Sequence, residues 1–91
     1  METLLNPKQT TDLVSLLAAI SVQARLGSSY RGEADYWAGQ IECGLDTDDM
    51  QCIAWLLEEV AACPLLPDPI QQWAKAWTVT IDELTGRLEV Y

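Results

Sequence analysis

Apolar residues fall into four stripes at helical spacing, and the period changes after the last of them. Leu13, Leu16, Leu17, Ile20 and Ala24 recur at intervals of three and four, with Val14 widening the stripe. They predict a helix that opens at Asn6-Pro7, a capping side chain followed by a proline at the first helical position. Thr10-Thr11-Asp12 offers a second start, and Gly27 is placed as a left-handed stop. A polar loop over residues 27–32 follows. The next helix, EADYWAGQIECG, is expected to open on Glu33 and Asp35 and to end at Gly44, with Ala34, Trp37 and Ile41 facing inward. Gly39 weakens that helix relative to alanine or lets a neighbour pack closely.

The most apolar stretch is LDTDDMQCIAWLLEEVAAC, residues 45–63. Met50, Ile53, Ala54, Trp55, Leu56, Leu57, Val60 and Ala61 cover most of its circumference, which predicts a central helix that the others pack around. Pro64 ends it. Asp68-Pro69 starts another helix, with Ile70, Trp73, Ala74 and Trp77 on one face. From Trp77 the pattern alternates, turns at Glu83-Leu-Thr-Gly86 and alternates again to Tyr91. That pattern predicts a hairpin over residues 77–91 with Val79, Ile81, Leu88 and Val90 on one face. The expected fold is mainly α. It is a small single domain, residues 1–91, of four or more helices packed around a central apolar helix, with a C-terminal two-stranded antiparallel β-hairpin. No internal repeat or low-complexity tract is evident in this reading.

Composition narrows the partners. The chain has fourteen Asp and Glu against five Lys and Arg, a net charge of -9, and 49% hydrophobic residues. A folded chain is expected, with a field that repels nucleic acid and anionic membranes and attracts cations and basic protein surfaces. No apolar run approaches the ~20 residues that span a bilayer. The opening METLLNPKQTTD has no basic segment leading into an apolar one, so no signal peptide is expected and a cytoplasmic location is. Cys43, Cys52 and Cys63 match no paired-ligand spacing and are expected to be reduced, small core residues. The four tryptophans are expected to fill the core of a chain that lacks phenylalanine.

Catalysis is not expected. Without histidine there is no Ser-His or Cys-His couple, and no GxSxG, phosphate loop or zinc-ligand set appears. Carboxylates are the remaining chemistry. Asp46-Thr-Asp48-Asp49 has the oxygen density of a calcium loop without being an EF-hand, because the fifth, sixth and twelfth positions from Asp46 hold Met50, Gln51 and Leu57. Helix capping explains one or two of these acids, not three. Glu42 stands one turn before this loop, Asp35 seven residues before Glu42, and Glu33 close to Asp35. If the flanking helices fold back at Gly44, Glu33, Asp35, Glu42, Asp46, Asp48 and Asp49 approach one region. Calcium accepts such irregular oxygen sets. Glu58, Glu59, Asp82, Glu83 and Glu89 form a second, weaker acidic region.

These features together, namely a small, acidic, histidine-free chain of helices with a terminal hairpin and acidic clusters outside any EF-hand, resemble the CcbP-type calcium-binding proteins of cyanobacteria over essentially all 91 residues. The resemblance implies a cytoplasmic protein that buffers or sequesters Ca2+ in signalling, in that family during heterocyst differentiation. The alternative is an acidic protein-interaction module, docking on a basic partner surface or mimicking nucleic acid.

Overall fold

A computed structural model describes residues 5–44 and 46–85, apart from the side chain of Glu42. Four α-helices follow in order: α1 Pro7–Ser21, α2 Ser28–Gln40, α3 Thr47–Ala61 and α4 Asp68–Thr85, with a 3₁₀ turn at Ile41–Cys43 between α2 and α3. Asn6 caps α1 as its sequence predicts. The Gln9 N–H donates to Asn6 Oδ1 (2.7 Å), and the Asn6 N–H donates to Gln9 Oε1 (3.1 Å). Thr10-Thr11-Asp12 is therefore interior to α1 and not a second start.

The chain is two copies of one helical hairpin. Pro7 and Thr47, the first residues of α1 and α3, stand 40 positions apart, as do Ser28 and Asp68, the first residues of α2 and α4. Leu13 matches Ile53, Leu16 Leu56, Leu17 Leu57, Ile20 Val60, Leu26 Leu66, Ala34 Ala74 and Ile41 Ile81, all buried. The backbone repeats too. Gln23 N–H donates to Ile20 O (3.1 Å) as Cys63 N–H does to Val60 O (3.1 Å), and Leu26 N–H donates to Gln23 O (3.1 Å) as Leu66 N–H does to Cys63 O (3.3 Å). This corrects the expectation of a chain without repeats. Each copy alone has one apolar face per helix, and the two faces are buried only when the copies close on each other.

Within each copy the helices pack extensively, α1 on α2 and α3 on α4. Between copies, smaller interfaces join α1 to α4 and α2 to α3. A twofold exchange of the copies turns one of those interfaces into the other, whereas a head-to-tail stack would leave α1 and α4 apart. The 3₁₀ turn ends at Gly44, whose φ of 88° is disfavoured for any residue with a Cβ. Leu84 stands at the equivalent place, and there α4 runs on to Thr85.

Several expectations are overturned. Trp77 to Thr85 is helix and not strand, so the C-terminal hairpin is not part of the fold; Leu88, Val90 and the rest of its second strand lie outside the described residues. Ala74, Trp77, Ile81 and Leu84 continue the helical stripe of α4, Val79 is exposed, and the threonine hydroxyls bond back to the turn before, Thr80 Oγ1 donating to Ala76 O (3.1 Å). Gly27 has φ -57° and caps the start of α2, so the left-handed stop is absent and α2 opens at Ser28, not at Glu33. α3 is not wrapped on all sides. It buries Met50, Ile53, Ala54, Leu56, Leu57 and Val60 and turns Asp48, Gln51, Cys52, Trp55, Glu58 and Glu59 to solvent.

Gly39 supports no close approach, because nothing lies within 4 Å of a Cβ built there or at Gly32. Both sit inside α2. Gly39→Ala and Gly32→Ala are each expected to raise folding stability by about 0.5–1 kcal/mol in urea unfolding; a loss of stability at either position would contradict the open surroundings described.

Candidate functional site

Two surfaces of the repeat carry chemistry, and they are related by the exchange of copies. The first lies between α1 and α4. The Asp12 carboxylate, through a single oxygen (Oδ2), accepts the indole N–H groups of both Trp73 (3.1 Å) and Trp77 (2.6 Å). One carboxylate thus orients two rings of the opposite copy, and Trp77 is 5% exposed beneath it. Lys8, Gln9, Thr11, Asp12 and Ser15 of α1 line an open groove with Trp77 as its far wall. Hydrogen bonds to a charged acceptor are stronger than neutral ones, so this clamp ties α4 to α1.

At the equivalent positions between α2 and α3 stand Cys52 for Asp12, Glu33 for Trp73, Trp37 for Trp77 and Trp55 for Ser15. Two of the clamp's three partners are thereby replaced. Trp37 is half-buried and meets Tyr36 edge-on at 5.1 Å. Trp55 is 59% exposed, in contrast to the core role expected for it. The cysteines differ from expectation in the same way: Cys43 and Cys52 are exposed, Cys63 is half-buried, and all three are free thiols.

Asp46 and Asp49 form a capping box on α3. The Asp49 N–H donates to Asp46 Oδ1 (2.9 Å) and the Asp46 N–H donates to Asp49 Oδ2 (3.3 Å), the counterpart of Asn6 and Gln9. Asp48, one position inside, is exposed in the first turn and favours the helix dipole. Of the other acids read as candidates, Glu42 belongs to the 3₁₀ turn, and its side chain lies outside the described residues. Asp35 and Glu33 are exposed on α2, five and seven residues before its last residue, Gln40, or about 7 and 10 Å along its axis.

Among the described residues no group of three or more His, Cys, Asp or Glu side chains is placed to hold a metal ion. The five candidate carboxylates with described side chains, Glu33, Asp35, Asp46, Asp48 and Asp49, form no such group among themselves. In the second acidic region Glu58 and Glu59 are exposed on α3, Asp82 and Glu83 lie near the end of α4, and Glu89 falls outside the described residues. What sequence reasoning missed is the exposed α3 face itself. Its signal was present in the 40-residue offset, which pairs Trp55 with a serine. No described helix is long and apolar enough to cross a membrane. No family model matches the chain, and no curated protein or solved structure matches it either.

Proposed function

We propose that this protein acts by binding and not by catalysis, presenting a folded acidic surface to a basic protein. One observation carries the reading: among the described residues the core contains no polar or charged side chain, and every described Asp and Glu side chain is exposed or half-buried. In a chain of net charge -9, the described acidic side chains thus stand at the surface of a helical scaffold. Such a field accelerates encounter with a cationic surface and rejects anionic ones. Titration calorimetry with a basic peptide at about 50 mM and about 150 mM salt tests it. Binding that weakens as salt rises is expected; no heat at the lower salt contradicts the proposal.

A second reading is favoured by Asp48, which the capping box does not use and which lies close in sequence to Glu42. It is the Ca2+-binding role that the CcbP-type resemblance implies, with micromolar or weaker affinity; its ligands would come from the acids read on the chain, Glu33, Asp35, Glu42, Asp46, Asp48 and Asp49. The CcbP-type role would place that binding in cytoplasmic calcium signalling. Calcium titrated into the metal-stripped protein is then expected to release or absorb heat, and Asp48→Ala to diminish it. An identical response to magnesium, or none at millimolar calcium, contradicts this second reading.

A further inference from the structure

The exposed face of α3 is built around Trp55. Glu58 and Glu59 follow it by one turn, Gln51 and Cys52 precede it by one turn, and Asp48 precedes it by two, so all share one side of the helix. All are exposed. The equivalent side of α1 carries Lys8, Thr11, Asp12, Ser15 and Ala18, and there Asp12 is engaged by Trp73 and Trp77 of the other copy. Seven equivalent apolar positions, Leu13/Ile53 to Ile41/Ile81, are buried in both copies, and the turn between the helices repeats, so Trp55 is not needed to complete the core. One copy uses this position to close the molecule. The other leaves a large aromatic ring in water with carboxylates on either side of it along the helix.

We propose that this face of α3 is the docking surface for an arginine-bearing basic segment of another protein. This rests on the binding role proposed above and specifies its site and its partner. Charge decides among occupants. A second copy of this chain would bring another -9 and the same carboxylates against these, and nucleic acid or an anionic membrane would meet the same repulsion. An arginine suits both parts of the surface. Its planar guanidinium stacks on an indole face, and its N–H groups reach a carboxylate one turn away, as Glu58 and Glu59 are from Trp55. Lysine offers a point charge without the planar fork. Glu33, which takes the place of Trp73 on the α2 side, adds a further carboxylate in the adjoining helix.

The test uses the full chain and two synthetic probes, a peptide of alternating arginine and glycine and its lysine counterpart, followed by calorimetry. The arginine peptide is expected to bind the native protein more tightly than the lysine peptide. Trp55→Ala is expected to weaken the arginine peptide by roughly tenfold or more, as for an interface hot spot, and Glu58→Gln with Glu59→Gln to do so comparably. Asp35→Asn removes one charge from the opposite part of α2 and is expected to change affinity by less than about twofold, as an exposed charge away from the contact does. Trp55 is exposed, so the helical circular dichroism of Trp55→Ala is expected to match that of the native chain. Should it not, the double glutamine variant alone decides the matter. If the arginine peptide binds all variants equally, the α3 surface is overturned while the acidic binding role stands. Equal affinity for both peptides overturns the arginine assignment, and no binding of either overturns the binding role itself.

Discussion

Trp77→Ala is expected to lower folding stability by about 3–5 kcal/mol, and Trp37→Ala by markedly less. The two residues occupy the same place in the two copies, so the comparison isolates what the asymmetry of the fold does. Trp77 is 5% exposed and donates its indole N–H to Asp12 at 2.6 Å, whereas Trp37 is half-buried at a position whose opposite residue is Cys52. Removing Trp77 opens a cavity between α1 and α4 and takes one of two donors from the Asp12 carboxylate. Removing Trp37 uncovers a surface already half in water. Urea unfolding of both variants gives the two costs directly. Equal losses would mean that the clamp through Asp12 contributes little.

The second large effect concerns the shared core. Leu17 and Leu57 are equivalent and fully buried, so Leu17→Ala and Leu57→Ala are each expected to cost about 2–5 kcal/mol. Because each cavity is walled by equivalent residues, such as Leu13 and Ile53 or Ile20 and Val60, the two losses are expected to agree within about 1 kcal/mol, the spread that local collapse introduces. A change that is costly in one copy and neutral in the other would show that one hairpin folds around the other and not as its equal. Chemical unfolding at equilibrium measures both.

Much of the scaffold is legible in the chain itself. Asn6-Pro7 marks the start of α1 because a capping side chain before proline suits few other structures. Asp68-Pro69 locates the start of α4, but Asp68 is the first residue of that helix and not its cap. Leu13, Leu16, Leu17 and Ile20 identify the buried stripe because their spacing matches one helical face. The segment after Trp77 misled for a physical reason. Thr78, Val79, Thr80 and Ile81 alternate as a strand does, yet Ala74, Trp77, Ile81 and Leu84 also keep the helical period, and packing on α3 selects the helix. Residue type and helical spacing place Trp55 in the core, whereas its position on the outer face depends on which side of α3 meets α4.

The repeat is faint in the sequence because its identities are scattered. Leu16 and Leu56, Leu26 and Leu66, or Trp37 and Trp77 are separated by outer positions that have diverged, such as Asp12 to Cys52 and Ser15 to Trp55. Those outer positions are where the copies took different roles. The acidic site is legible in part: on sequence, helix capping accounts for one or two of its three acids, and the hydrogen bonds between Asp46 and Asp49 show which two. The convergence of Glu33 and Asp35 with them rested on a fold-back at Gly44. Sequence spacing alone does not define the distance between α2 and the start of α3.

Isotope-labelled protein titrated with the arginine–glycine peptide, and followed by amide NMR, tests the central claim most directly. Binding is expected to shift amides of α3 between Asp48 and Glu59, around Trp55, and to leave the Asp12 face of α1 unchanged. Shifts confined to other helices, or no shifts in about 50 mM salt where charge attraction is strong, would contradict a basic partner docked on the acidic face of α3.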